Sequence, residues 1–231
     1  MDIDSQSNKI SVLMSVYNDE KRVSKSIESI LNQTFQDFEF LILDDCSTDN
    51  TYEICNYYAK NNQKIKLMKN HQNLGLTKSL NLLISESNYE LIARQDSDDE
   101  SFKQRLEIQL KIMEKHNLDA CTTLATIDEL KRTRPFLSHL FPKKLIIKYK
   151  NPFIHGSLLI KKRVLENVGM YDEKFKFAQD YKLMFDLIRL NHKLKIINQP
   201  LYKLNLKDNI STRNIKEQNY YANCVKKEID P

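Results

Sequence analysis

Apolar and polar positions alternate along this chain in two periods, and the switches between the periods mark its elements. Residues 10–16 (Ile-Ser-Val-Leu-Met-Ser-Val) form a short apolar run ended by Tyr17, Asn18 and Asp19. A run of that length and composition predicts a buried strand. Over residues 20–32 the apolar positions are Val23, Ile27, Ile30 and Leu31, spacings that lay one stripe along a helix. Residues 38–43 predict a second strand, followed by Asp44-Asp45-Cys46-Ser47-Thr48-Asp49. Ser47 or Thr48 suits the cap of a helix over 50–60, with Tyr52, Ile54, Cys55 and Tyr58 available for its inner side. A strand at 64–69, a turn at 70–75 and a helix at 76–86 on Leu80, Leu83 and Ile84 come next. A strand at 91–93 and a helix at 102–115 on Leu106, Leu110 and Met113 complete the first half.

After Asp119 the pattern loosens. Residues 120–127 predict a strand, and 131–150 a basic loop around Pro135 and Pro142 with a short helix at 145–149. A strand at 153–160 is interrupted by His155-Gly156, and a helix at 163–168 ends at Gly169, which suits a left-handed cap. A helix at 180–190 turns Tyr181, Met184, Phe185 and Ile188 inward. Two strands, at 194–197 and 201–206, precede a polar, basic tail with a helix near 217–225. Strands alternating with helices predict an α/β fold, a mostly parallel sheet with helices on both faces. No linker or repeat divides it. One domain spans 10–206, between a flexible N-terminal tail (1–9) and a basic C-terminal tail (207–231).

The strand at 91–93 runs into Arg94-Gln95-Asp96-Ser97-Asp98-Asp99, three carboxylates within four positions. Close carboxylates resist burial unless a cation or water sits among them. The stretch alone reads equally as a solvated acidic loop or as a site for a hard divalent cation holding a phosphate. Three strands end in polar clusters, at Tyr17-Asn18, Asp44-Asp45 and Asp96–Asp99. In a parallel sheet these gather along one edge, where ligands bind.

Composition narrows the choice. The net charge of +5, from 36 basic and 31 acidic residues, is too mild and scattered for nucleic-acid binding, though it allows weak peripheral attachment to an anionic membrane. Three glycines, Gly75, Gly156 and Gly169, leave no glycine-rich phosphate loop. Cys46, Cys55, Cys121 and Cys224 lack zinc-ligand spacing, and the absence of a disulfide framework suggests a reducing compartment. The first ten residues are polar and no apolar run is long enough to span a bilayer, so the expected location is the cytoplasm.

The motifs, taken in order, carry a more specific signal. Ser11-Val12-Leu13-Met14-Ser15-Val16-Tyr17-Asn18, Asp44-Asp45-Cys46-Ser47-Thr48-Asp49, Asn73-Leu74-Gly75, Ala93 to Asp99, Gly169-Met170-Tyr171-Asp172-Glu173 and Ala178-Gln179-Asp180-Tyr181 together resemble family 2 glycosyltransferases. That family has the GT-A fold, inverts configuration and uses nucleotide-sugar donors. The resemblance runs from about Ile10 to Leu206. It makes 10–119 the nucleotide-sugar-binding half and 120–206 a smaller acceptor-side half.

The resemblance implies roles. Asp45 would accept a hydrogen bond from a uracil ring with Asp44 supporting the loop, although both acids also suit the following helix terminus. Ser15 and Tyr17 would lie against the nucleoside, where packing explains Tyr17 equally well. Asp96-Ser97-Asp98 matches the D-x-D signature. Asp98 would hold Mg²⁺ or Mn²⁺ against the diphosphate, Asp99 would be a second ligand, and Asp96 would contact ribose or donor. Arg94 would sit near the donor, or relieve the acid cluster as a salt bridge. Asp180 would be the general base that takes the acceptor's proton; by position alone it is a helix cap. Gln179 stands where the family has Glu, Cys46 where it has Gly, and His155 is a supporting residue.

Without Trp the chain lacks the Q-x-x-R-W signature of processive synthases, so single-sugar transfer is expected. Asn209-Ile210-Ser211 is kept without the Arg and His that commonly precede it. The expected activity is metal-assisted, inverting transfer of one hexose or N-acetylhexosamine-type sugar from a UDP donor to a glycan or lipid-linked acceptor. The rivals are a non-catalytic sugar-nucleotide-binding or scaffold subunit and a nucleotidyltransferase. The latter would need a glycine-rich, lysine-bearing loop after the first strand, and Tyr17-Asn18-Asp19 is not one.

Overall fold

The computed structural model describes residues 9–127, 132–206 and 214–231. Its first half is a run of strands and helices: β1 (Ile10–Val16), α1 (Val23–Leu31), β2 (Phe38–Asp44), α2 (Thr51–Asn61), β3 (Ile65–Lys69), α3 (Leu76–Glu86) and β4 (Leu91–Arg94). The second half holds β5 (Glu100–Ser101), α4 (Arg105–His116), β6 (Ala120–Ile127), β7 (Arg132–Arg134), α5 (Lys143–Ile146), β8 (Leu159–Lys161), α6 (Lys162–Asn167), α7 (Gln179–Arg189), β9 (Leu194–Leu204) and α8 (Ile215–Lys227).

One sheet joins the strands in the order β3-β2-β1-β4-β8-β6-β9-β5, with β7 paired to β6. The strands β3, β2, β1 and β4 run parallel to one another, and β6 runs parallel to β9. Strand β8 lies antiparallel between β4 and β6.

The two faces follow from the period of two. In β1, Ile10, Val12, Met14 and Val16 pack on one side against the inner stripe of α1, Val23, Ile27 and Ile30. Leu13 faces the other side with Leu80, Leu83 and Ile84 of α3. In β2, Phe38, Phe40 and Ile42 join the first core, and Leu41 and Leu43 the second. The helices therefore cover both faces, as the apolar spacing predicts.

Chain order places the crevice. After β1 the chain adds β2 and β3 outward on one side, then returns to set β4 on the other. The edge beside β1 is thus a switch point, open at the carboxyl ends of β1, β2 and β4. Register makes it a step. Val16 is level with Asp44, whereas Arg94 is level with Leu13, so β4 ends earlier and its acidic turn folds up alongside β1.

Several expectations are corrected. Neither Ser47 nor Thr48 caps α2; Asp49 Oδ1 accepts from Thr51 N–H at 3.0 Å, while Ser47 and Thr48 bond to Asn18. Helix α4 starts at Arg105 rather than residue 102. The strand expected at 153–160 shrinks to β8, because His155–Ser157 forms one 3-10 turn. The short helix of the basic loop lies at Lys143–Ile146, starting two residues before the expected span and overlapping it at Leu145 and Ile146. The two strands after residue 194 are the single strand β9, whose register shifts where Pro200 enters the ladder. Gly169 adopts the expected left-handed backbone, at φ 86°. Asn209-Ile210-Ser211 lies outside the described residues.

Candidate active site

The turn after β4 is built around a buried guanidinium. Arg94 is 1% exposed. Its Nη2 donates to Asp96 Oδ1 at 2.5 Å and its Nη1 to Leu13 O at 3.0 Å. A charge so deeply buried needs a partner, and Asp96 supplies it. The ion pair is the salt-bridge reading of Arg94, made by a side chain buried beneath the turn. The turn is pinned from below by Gln95, whose Nε2 donates to Asp99 O and Ser26 Oγ. Ser26 Oγ in turn donates to Asp96 O.

The three carboxylates of the turn have separate surroundings. Asp96 is paired with Arg94. Asp99 is 4% exposed and faces β9, where its Oδ1 accepts from Asn205 N–H at 2.8 Å. Burial, with the Asp98 and Asp96 charges, pushes its pKa well up. Asp99 Oδ1 is thus engaged by the backbone just past β9. Asp98 keeps an open side, and its nearest cation is Arg22 Nη1 at 4.0 Å. Burial and the Asp96 charge raise its pKa to about 6, against the pull of Arg22.

Asp19 joins this cluster without any motif having marked it. Its Oδ2 accepts from Ser97 Oγ at 2.7 Å and its Oδ1 from Arg22 Nε at 2.5 Å. It ties the β1 loop to the β4 turn. The available signal was its place, directly after the polar end of β1.

The β2 loop is organised by its own acids. Asp45 Oδ1 accepts from Asn70 Nδ2 and Leu74 N–H, and its Oδ2 from Gly75 N–H at 2.8 Å. Both carboxylate oxygens hold the 70–75 turn. Asp44 Oδ2 accepts from Ser47 N–H, and its buried Oδ1 has no partner among the described residues. Cys46 sits at φ 65°, the left-handed conformation in which glycine is cheapest. Ser15 is half-buried and Tyr17 exposed at the end of β1.

Residues of the second half reach the β4 turn where Gly156 packs against Asp96, with His155 beside it. His155 Nε2 lies 2.6 Å from Tyr171 Oη, the rings meeting edge to face. Burial and the Arg94 charge lower the His155 pKa to about 4, against Asp96 and Asp180, so it is neutral at physiological pH. The fields of Asp96 and Asp180 both reach the His155–Tyr171 pair. Asp180 lies in the first turn of α7, half-buried, and its Oδ2 accepts from Asn151 Nδ2 at 2.8 Å. Gln179 beside it is buried, and Ala178 turns into the helix at φ 53°.

Three further residues lock this geometry. Tyr202 Oη accepts from Asp96 N–H at 3.1 Å. Arg105 is fully buried, its guanidinium 5.5 Å from the Tyr202 ring centre. Its Nη1 donates to Arg94 O and Gly156 O, joining the β4 turn to the segment that carries His155. The sequence signal for Arg105 was a charge on the inner stripe of α4, one helical turn before the buried Gln109.

Gly156 is needed for space. A Cβ there would lie 2.6 Å from Asp96 Oδ2 and closer still to the Tyr202 hydroxyl. Gly156→Ala is expected to lower stability by roughly 1–3 kcal/mol, the usual cost of overpacking. Thermal melting should show this together with weakened donor binding.

Residues 11–169 match the glycosyl transferase family 2 model. The chain belongs to glycosyl transferase family 2. The family match ends at Gly169, before Asp180. EpsE of Bacillus subtilis is 38% identical over 156 residues, which is 66% of this chain and 56% of EpsE. The chain thus spans little more than half of that relative. Among solved structures, S. aureus TarS 1–349 in complex with UDP-GlcNAc superposes with a TM-score of 0.76 at 22% identity, over 89% of this chain and 61% of that one. The mannosyltransferase PcManGT of Pyrobaculum calidifontis, in complex with GDP-Man and Mn²⁺, gives 0.73 at 15% identity, over 87% and 58%. These likenesses show a shared GT-A fold.

Proposed function

We propose that this family 2 domain moves one sugar, with inversion, from a UDP-sugar to a hydroxyl of a glycan or lipid-linked acceptor. The observation that carries the reading is the acidic turn Asp96–Asp99 at the carboxyl edge of a family 2 sheet, tied to the β1 loop through Asp19 and packed against the His155 segment at Gly156. A donor held at the β4 turn would then present its anomeric carbon towards an acid able to take a proton from an acceptor. TarS, a fold neighbour, was solved with UDP-GlcNAc, which favours UDP; PcManGT binds GDP-Man, which keeps a guanosine donor as an alternative.

In this reading Asp180, oriented by Asn151, accepts the proton of the acceptor hydroxyl as its oxygen attacks the anomeric carbon. The bond from that carbon to the diphosphate oxygen breaks, and the nucleoside diphosphate leaves with the electron pair. Arg94 and Asp96 fix the turn beneath the donor, and neutral His155 with Tyr171 fills the space between donor and base. Asp45 shapes the nucleoside end by fixing the 70–75 turn, with Ser15 and Tyr17 beside it.

The residues fit a divalent cation. Asp98 is a partly exposed carboxylate whose ionised form is disfavoured by burial and by Asp96, with Arg22 Nη1 4.0 Å away. That pattern suits Mg²⁺ or Mn²⁺ held by one or two carboxylates together with substrate phosphates. When bound, such an ion supplies Lewis-acid neutralisation of charge on the departing diphosphate.

A thermal-shift series tests the donor assignment. UDP at saturation is expected to raise the melting temperature with Mn²⁺ or Mg²⁺ present and to leave it unchanged without. No shift with any nucleoside diphosphate under either condition would sink the reading.

A further inference from the structure

Between positions 130 and 165 the sequence carries ten Lys and Arg and no Asp or Glu, in a chain whose whole excess is +5. The remainder of the chain is net acidic. In the middle of this stretch Phe136, Leu137, Leu140, Phe141, Leu145 and Tyr149 are each more than half exposed. They are six of the fourteen exposed large hydrophobics among the described residues, gathered within fourteen positions. Exposed cations are interleaved with them at Arg134, Lys144, Lys148 and Lys150. Large apolar side chains left in water mark an interaction surface.

We propose that residues 134–150 form a strap that docks on an anionic lipid bilayer. The charge pattern selects this occupant. A bilayer surface rich in anionic headgroups attracts a carboxylate-free, lysine-rich segment, and its acyl boundary takes Phe and Leu side chains while Tyr sits at the headgroup level.

The strap is fixed to the catalytic side of the molecule. Ile147 is buried in the core, and its carbonyl accepts from Tyr181 Oη at 2.6 Å. Lys144 Nζ donates to Asn191 Oδ1 at 2.6 Å, just past the far end of α7. Asn151, one residue beyond the strap, donates to Asp180. The strap therefore runs along α7, from Asn191 past its far end to Tyr181 and Asp180 at its start, so a bilayer engaged by the strap borders the helix that carries Asp180. Resting on the proposed role of Asp180, this assigns the acceptor to a lipid-borne hydroxyl presented at the membrane surface.

The test is co-sedimentation of the full chain with vesicles of equal phosphatidylglycerol and phosphatidylcholine, and with vesicles of phosphatidylcholine alone. The chain should partition onto the anionic vesicles, weakly onto the neutral ones, and less as salt rises. The variants Phe136→Ser/Phe141→Ser and Lys143→Glu/Lys144→Glu should each lose about tenfold or more of that partitioning. These positions lie outside the donor site, so the UDP and Mn²⁺ melting shift, measured on the same samples, should persist.

Absence of wild-type partitioning at low salt would overturn the strap. So would partitioning that both variants retain. Concentration-dependent self-association abolished by Phe136→Ser/Phe141→Ser, without vesicle binding, would assign the surface to a second copy and also overturn it. If vesicle binding fails while the UDP shift remains, the strap alone is refuted. If the shift fails while vesicle binding remains, the donor reading falls and the strap stands.

Discussion

Asp180→Asn is expected to lower kcat by about 10²–10⁴-fold, the usual worth of a positioned general base, while UDP binding in the presence of Mn²⁺ stays at the wild-type level. The substitution keeps the shape and keeps a group that Asn151 can bond, since an amide oxygen accepts as a carboxylate does. Only the ability to take a proton is lost. A structural cap role would give a different result. Asp180 is the second residue of α7, so its structural part is a negative charge in the first helical turn, and losing that alone would cost about 1 kcal/mol or less of stability and leave turnover near wild type. Steady-state kinetics with an acceptor, alongside calorimetry with UDP, separate the two. Equal kcat in wild type and variant would remove Asp180 from the chemistry.

Asp98→Asn should act in opposite directions on stability and on function. In the absence of a divalent cation the ionised Asp98 is disfavoured by burial and by Asp96, and its pKa is raised to about 6. A folded-state pKa above the unfolded one gives stability that is full below about pH 4 and is lost as pH rises through about 6. His155 has the opposite sign. With its pKa lowered to about 4, its contribution is present above about 6.5 and is lost as pH falls. Comparing variant with wild type isolates the Asp98 part.

At neutral pH without metal, Asp98→Asn is expected to be more stable than wild type by about 1–3 kcal/mol. Its melting curve should also change less between pH 4 and pH 6. The same variant should lose the UDP shift that Mn²⁺ confers. A carboxylate kept at a cost to the fold is what a functional site imposes. A variant less stable than wild type at neutral pH would show that Asp98 is structural.

Much of this was legible in the sequence. The period-two runs of β1 and β2 and the stripes of α1, α3 and α7 come from apolar spacing, which reports burial directly. The acids at the ends of β2 and β4 were also visible, because charge at the end of an apolar run is costly without a purpose. What the sequence hid was set by distant pairing. Glu100 and Ser101 make a strand only because Lys203 and Tyr202 lie opposite. The break at Asn198-Gln199-Pro200 looks like a turn, yet the register shift against Thr123 and Leu124 absorbs it within one strand. The division of labour between Asp44 and Asp45 depends on the 70–75 turn, whose amides choose Asp45. Asp99 is drawn away from its neighbours by the backbone of Asn205, more than a hundred residues on. The supporting roles of Arg105, Tyr202 and Gly156 arise from three segments meeting at one carboxylate.

The central claim is that one edge of the sheet divides donor binding from proton transfer, with Asp98 on the first and Asp180 on the second. Calorimetric titration of UDP with Mn²⁺ into wild type, Asp98→Asn and Asp180→Asn tests it most directly. The expected result is equal affinity for wild type and Asp180→Asn, and a loss of about tenfold or more for Asp98→Asn. Wild-type affinity in Asp98→Asn would contradict it.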